Sequence, residues 1–310
     1  MSTPFTPLFS GGTGRSGTTA IVNLLNHHRQ VHTSLPREIR YLTDRFGLLD
    51  LNFGRPLKLE STSTELRNRV LGKFLFIKGK SKARIFNERM NGRWWQEVGK
   101  KGNPRGLCQA IELDFLNEQL TNFKKDKRSN LYHASIQLYS NLSSAQIKKP
   151  DIRYFADSTP ANIQNGNRII KLLPNAHFIN MIRDGRDVAY SVTKERWGPD
   201  DPHLALRWWQ KRIELAHLGL ERVSVDKKIN LRLEDLILYN RTQSYNLILK
   251  FLDLEDQEQL RLEFDKTFAK EKMSMGLWKN EVKSPTKFEQ TYLKVLKQLS
   301  DKGIEIKQYY

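Results

Sequence analysis

Gly11-Gly12-Thr13-Gly14-Arg15-Ser16-Gly17-Thr18-Thr19 is the stretch on which the fold turns. An apolar run, Pro7 to Ser10, leads into it, and an amphipathic pattern marked by Ile21, Leu24 and Leu25 follows. Strand, glycine-rich loop and helix in that order predict a βα turn. Glycines let the main chain of such a turn curl so that successive N–H groups converge on one spot. The positive end of the following helix points at the same spot, and both effects favour a bound anion. On these residues alone, an ordinary βα turn is the other open reading.

Four further apolar runs read as strands: Val31 to Leu35, Ile152 to Ala156, His177 to Ile182 and Ile229 to Leu233. Helical stripes appear late in the chain at Tyr245, Ile248 and Leu252, with Leu247 and Phe251, and again at Phe288, Tyr292, Val295 and Leu299. Strands alternating with helices predict an α/β fold with a parallel sheet of about five strands and right-handed crossovers. We expect a single domain over residues 1–310, interrupted at about 46–150 by a mostly helical insertion. Within it, Lys73 to Arg105 carries ten basic residues against Glu88 and Glu97, together with Trp94 and Trp95. The stretch reads either as a cover over the ligand edge of the sheet or as a solvated basic helix with two core tryptophans.

The loop invites comparison with the phosphate-loop pattern G-x-x-x-x-G-K-[ST]. Gly12, Gly17 and Thr19 fit, whereas Thr18 occupies the lysine position. In nucleotide triphosphatases that lysine reaches the β- and γ-phosphates. Its loss argues against ATP or GTP hydrolysis and leaves a cradle for a 5′-phosphate in a P-loop-like three-layer fold, with Arg15 able to reach a group being transferred. A P-loop nucleotide kinase stays as an alternative. A second anion site is suggested where the strand His177–Ile182 ends on Arg183 and a helix begins near Asp184, with Ser191 about two turns on. Arg183 at a carboxyl end can point into the crevice where open α/β sheets bind ligands. An ion pair of Arg183 with Asp184 or Asp187 is the equally open structural reading.

The 310 residues carry 52 Lys and Arg against 34 Asp and Glu, a net charge of +18. Such a charge favours phosphates, sulfates, nucleic acid or anionic surfaces as partners. A non-enzymatic polyanion-binding protein is therefore a second alternative, although no helix-turn-helix, RRM or zinc-finger signature is present, so no specific nucleic-acid partner is expected. Cys108 is the only cysteine. It permits no intramolecular disulfide and no cysteine-held metal, and reads as a small buried residue. No apolar run approaches the ~18 residues of a membrane span. Met1 to Pro7 lacks the features of a signal peptide. These features predict a soluble, cytoplasmic protein.

Gly14-Arg15-Ser16-Gly17-Thr18-Thr19 with Leu24-Leu25-Asn26-His27-His28 resembles the 5′-phosphosulfate loop of sulfotransferases that use PAPS (3′-phosphoadenosine-5′-phosphosulfate). Ile182-Arg183-Asp184-Gly185-Arg186-Asp187 through Ser191 resembles their 3′-phosphate site. Asp157-Ser158-Thr159-Pro160, Leu172 to Ala176, Leu231 to Leu236, Phe251 to Leu254 and Gly276-Leu277-Trp278-Lys279-Asn280 resemble further segments of the family. Arg15 in place of lysine resembles the bacterial and tyrosylprotein branch.

The resemblance implies a sulfotransferase that moves a sulfuryl group from PAPS to a hydroxyl acceptor (glycan, lipid, small metabolite or tyrosyl peptide), leaving PAP. It implies that Gly14, Arg15, Ser16, Gly17, Thr18 and Thr19 hold the 5′-phosphosulfate and that Arg183 and Ser191 hold the 3′-phosphate. Arg15 would neutralise the bridging oxygen. Glu38, in Pro36-Arg37-Glu38-Ile39-Arg40-Tyr41, resembles the catalytic glutamate of the tyrosylprotein enzymes in a Glu-x-Arg setting. Arg40 would orient it or help bind the donor. A surface ion pair of Glu38 with Arg37 or Arg40 is the other reading, and His32 is the rival base. No metal is expected, and the acceptor is open, including an anionic one. Two departures stand out: Ser158 occupies a position where the family often has lysine, and Lys270 to Met275 replaces an Arg-Lys-Gly run. A supporting cation is then either missing or supplied elsewhere, with Lys272 as one candidate.

Overall fold

The computed structural model describes residues 3–55, 81–98, 102–272 and 274–309. The main sheet has five strands, in the order β2 (Val31–Thr33), β5 (Tyr154–Asp157), β1 (Thr6–Gly12), β6 (His177–Ile182) and β7 (Lys228–Arg232). Two more strands, β3 (Glu97–Val98) and β4 (Pro104–Arg105), form a separate antiparallel pair. Val31 opposes Tyr154 and Thr33 opposes Ala156 in parallel register. Phe178 to Ile182 oppose Lys228 to Arg232 in the same sense. The α/β class and the parallel five-stranded sheet expected from sequence are thus borne out. β1 is buried from Pro7 to Gly12. A strand covered on both faces reads as a continuous apolar run, which is why it was visible as one.

The described residues fall into two compact units. The first takes in Met1–Leu8, Arg29–Thr159 and Asn167–His177. In it Phe155 of β5 packs against Phe5 at 5.3 Å and His32 at 6.0 Å. The long helix Leu113–Ser144 is two arms that meet at Asn130, whose backbone is extended (φ −153°, ψ 97°). Asn130 Oδ1 accepts a hydrogen bond from His133 N at 3.0 Å, capping the second arm.

The basic stretch belongs to this unit. Its helix Lys82–Met90 is capped by Ser81, whose Oγ accepts from Arg84 N at 3.2 Å. Phe86 and Met90 are buried while Lys82 and Arg84 face solvent. Phe86 meets Trp94 edge-on at 5.8 Å and Phe123 at 5.4 Å. One of the two tryptophans is therefore core, since Trp95 is only half-buried. Cys108 is also half-buried rather than buried, because its neighbour Leu107 fills the core position of that turn. Lys73, Lys78, Lys80, Lys100 and Lys101 lie outside the described residues.

The second unit takes in Phe9–His28, Pro160–Gly166 and Phe178–Tyr310. Trp209 and Trp278 are buried among the helices Gly185–Thr193, Pro202–Leu220 and Pro285–Ser300. Each such side chain contributes up to about 1.5–3 kcal/mol through apolar burial. The expected stripe Phe288, Tyr292, Val295 and Leu299 faces this core. Tyr245, Ile248 and Leu252 are likewise buried, but Leu247 is exposed.

Candidate functional site

The glycine loop lies in the second unit between β1 and the helix Thr18–Leu25. Gly14, Arg15 and Gly17 all adopt positive φ, at 83°, 56° and 90°. Arg15 does so without the freedom of glycine, in a region that costs an ordinary residue about 1 kcal/mol or more. Gly12 is required for a different reason: a Cβ there would stand 2.3 Å from the carbonyl oxygen of Met181. Gly17 is the N-cap, and no side chain caps the helix. The first-turn N–H groups are left to an external acceptor, as at anion sites on helix N-termini. Ser16 Oγ is buried in the loop and has no hydrogen-bond partner among the described residues. Thr18 is buried, and its carbonyl accepts from Ser10 Oγ at 3.2 Å. Thr19 is exposed.

Arg183 sits where β6 ends and is only 8% exposed. Its Nη1 donates to the carbonyl of Arg15 at 3.0 Å and its Nη2 to the carbonyl of Ser274. Its Nε is buried without a partner among the described residues. Asp187 lies 3.8 Å from Nη2, so the strand-end ion pair read from sequence is present, with Asp187 rather than Asp184 as the acid. Arg15 Nε donates to Ser191 Oγ at 2.9 Å, and Arg15 Nη1 lies 3.7 Å from Glu195. The two motifs picked out separately, Gly14–Thr19 and Arg183 with Ser191, therefore meet in one place. The family resemblance assigned Arg15 and Ser191 to opposite ends of the ligand, yet here their side chains share a hydrogen bond.

A buried charge network supports this place. Asp184 caps the helix Gly185–Thr193 by accepting from Arg186 N at 2.8 Å. The Arg186 guanidinium pairs with Asp184 at 2.8 Å and Glu289 at 2.9 Å. It is clasped by the rings of Trp278 and Tyr292 at 4.8 and 4.6 Å. Asp187 Oδ1 accepts from Gly276 N at 2.9 Å. Glu234 Oε1 accepts from Asp184 N at 2.7 Å, and burial raises the Glu234 carboxyl above its ordinary pKa. These links explain the Gly-x-Trp-Lys segment: Gly276 and Trp278 hold the helix that carries Ser191. Glu234, Arg186 and Glu195 were not singled out from sequence. The one signal for Arg186 and Glu234 was the density of paired charges in Arg183 to Asp187 and in Arg232 to Asp235.

Glu38, Arg40 and His32 belong to the first unit. Burial raises the Glu38 carboxyl, against the opposing pull of Arg40. Arg40 itself pairs with Glu97 of β3 at 2.8 Å. Arg37 Nη1 donates to the Ser34 carbonyl at 3.1 Å. The segment is pinned from β5. Asp157 Oδ1 accepts from Ile39 N at 3.1 Å and from Thr159 N and Oγ1 at 2.9 and 2.7 Å. Ser158 donates through N and Oγ to the Arg37 carbonyl at 2.9 and 3.0 Å. Ser158 thus clamps the chain beside Glu38, at the position where a lysine was the family expectation. The other base candidate, His32, stacks on Phe155, and burial, with Lys149, lowers its pKa. The side chain of Lys272 lies outside the described residues.

Among the described residues, no three His, Cys, Asp or Glu side chains are grouped to hold a metal ion. No helix of the described residues is long and apolar enough to cross a membrane.

A strand-loop-helix anion cradle in a parallel α/β sheet defines a class of group-transfer proteins, and comparison narrows it. The model of the sulfotransferase family matches residues 7–258. The chain belongs to that family. A protein-tyrosine sulfotransferase of Drosophila melanogaster is 28% identical over 100 residues, which are 31% of this chain. The match spans 20% of that relative's length. The sulfotransferase domain of the curacin biosynthetic pathway aligns with a TM-score of 0.50 at 16% identity, covering 99% of this chain and 100% of that one. The sulfotransferase domain of the Synechococcus PCC 7002 olefin synthase gives 0.49 at 14%, covering 96% and 95%. The likeness to the curacin domain is one of fold.

Proposed function

We propose that the chain transfers the sulfuryl group of PAPS to a hydroxyl acceptor. The observation that carries this reading is a pair of buried polar atoms without partners among the described residues, Ser16 Oγ and Arg183 Nε. They stand at a loop of positive-φ residues that opens an uncapped helix. Two unpartnered donors beside a loop whose main-chain N–H groups converge fit a polyanionic ligand. Gly14 to Thr19 would hold the 5′-phosphosulfate, with Arg183 and Ser191 on the 3′-phosphate that distinguishes PAPS from ATP.

The acceptor oxygen forms a bond to sulfur as the bond from sulfur to the bridging oxygen breaks. The acceptor proton passes to the Glu38 carboxylate, and the electron pair stays on the 5′-phosphate of departing PAP. Arg15 neutralises that oxygen, for which its guanidinium must exchange Ser191 for the ligand. Such a displacement depends on positioning and charge stabilisation more than on covalent help. The transferred group carries less charge than a γ-phosphate, so catalysis is expected without added metal. A single-domain organisation and a cytoplasmic location belong to the same proposal.

Titration calorimetry with PAP and ATP tests the reading, with Arg183→Ala alongside. PAP is expected to bind at least about tenfold more tightly than ATP, and the variant to lose at least about tenfold in PAP affinity, as for a charge-assisted hydrogen bond. ATP binding as tight as PAP, or an indifferent variant, returns the nucleotide kinase to first place.

A further inference from the structure

We propose that Trp197 and Trp208 form the acceptor platform of this site, and that the acceptor is a carbohydrate bearing acidic groups. The inference rests on the sulfotransferase reading above and names its second substrate.

Trp197 is 56% exposed, and its ring lies 5.7 Å from that of Trp208 at an interplanar angle of 47°. The pair adjoins the anion loop: a Cβ on Gly14 would stand 3.8 Å from the Trp197 ring and 4.0 Å from that of Trp208. Two residues before Trp197, Glu195 faces Arg15, the side chain assigned to the reacting end of the donor. The aromatic pair is therefore next to the chemistry. Trp208 is anchored on the helix Pro202–Leu220, where its neighbour Trp209 is core.

The tilt and the surroundings select the occupant. A flat base or phenol between two rings is best held by near-parallel faces. Two faces tilted by 47° present a shallow apolar angle instead. A sugar ring suits it, with C–H bonds on one face and hydroxyls around the rim. Acidic substituents find cations close by. The Arg212 guanidinium lies 4.7 Å over the Trp208 ring. Lys211, one turn from Trp208, lines a groove of about 400 Å³ with Arg207, Lys294, Gln210 and Gln298. Glu214 in that groove already pairs with Lys302 at 2.7 Å. Arg207, Lys211 and Lys294 make no ion pair among the described residues. A nucleoside has no use for three such cations, whereas an acidic sugar chain running on from the platform does.

The experiment compares the natural chain with Trp197→Ala, Trp197→Phe and Lys211→Glu/Lys294→Glu. Sulfuryl transfer from labelled PAPS is followed to an unsulfated glucuronate-containing hexasaccharide, to neutral maltohexaose and to an acidic tyrosyl peptide. PAP binding to each variant is measured in parallel. The acidic hexasaccharide is expected to be sulfated, with KM raised roughly tenfold by Trp197→Ala and by the charge reversal, largely restored in Trp197→Phe, and PAP affinity held within about twofold. PAP affinity falling in step with KM in Trp197→Ala puts a purine on that ring and overturns the proposal. So does an unchanged KM, transfer to the peptide alone, or maltohexaose serving as well as the acidic chain. Failure of the natural chain to bind PAP sinks the donor reading itself, a result separable from all of these.

Discussion

Glu38 carries a carboxyl whose charged form is disfavoured by burial, and this has two measurable faces. As a base it must be ionised, so activity should fall as pH drops through a pKa above the ordinary carboxylate range. Glu38→Gln should lower kcat by ~10²–10⁴-fold and abolish that acidic limb. The stability effect has the opposite sign. A raised folded-state pKa means that Glu38 is harmless below its unfolded pKa and destabilising above its folded one. Thermal unfolding of Glu38→Gln should therefore occur at higher temperature than that of the natural chain near pH 8, and the gain should vanish below about pH 4. A variant as active as the natural chain would remove Glu38 from the chemistry. Much at this scale was legible. Arg15, Arg183 and Ser191 lie in short local motifs, and local spacing survives folding. The partner of Arg40 was not legible, because Glu97 comes to it from a hairpin far along the chain. Atoms without a partner among the described residues, such as Ser16 Oγ, have no sequence signature at all.

The elements carry the site by close approach. β1 must pass within contact of the Met181 carbonyl, one residue before the end of β6, which leaves no room for a side chain at Gly12. Gly12→Ala should cost about 1–3 kcal/mol in denaturant unfolding and displace the loop, with PAP affinity falling as well. Equal affinity with unchanged stability would mean that the strands can part freely. Trp278 packs over the Arg186 guanidinium that braces the helix carrying Ser191. Trp278→Ala should destabilise by about 3–5 kcal/mol through the cavity and the uncovered guanidinium. A loss below about 1 kcal/mol would show that Arg186 is held by Asp184 and Glu289 alone. All five strands of the sheet were visible as apolar runs, with ends displaced by at most two residues and the strand from His177 to Ile182 matched at both. β2 stops at Thr33 although the apolar run continues to Leu35, since Pro36 has no N–H to extend the ladder. The pair β3 and β4 escaped notice because two-residue strands carry no periodicity. The break at Asn130 was hidden inside a continuous helical pattern.

The whole molecule brings a charge of +18 to every encounter. That charge steers anions toward the chain more than it holds them once bound. Stopped-flow binding of PAP should show an association rate that falls severalfold as salt rises from ~0.1 to ~1 M, where the screening length shrinks from ~10 to ~3 Å. The dissociation rate, which under the proposed function is set by buried contacts such as Arg183, should change little. The reverse pattern would assign the charge a role in the bound complex. Composition made the preference for anions legible, but it could not say that the described cations of the basic stretch belong to the first unit.

The curled main chain at Gly14, Arg15 and Gly17 has a consequence beyond binding. A recognition surface made of peptide amides is indifferent to most codon changes, since nearly every residue supplies the same N–H. Only the few positions that dictate its curvature are constrained by heredity. Tryptophans and cations around its rim are under no such constraint. If the cradle holds the sulfuryl donor, as proposed, a lineage built on it is free to diverge in what it modifies long before it can diverge in what it draws its sulfuryl group from.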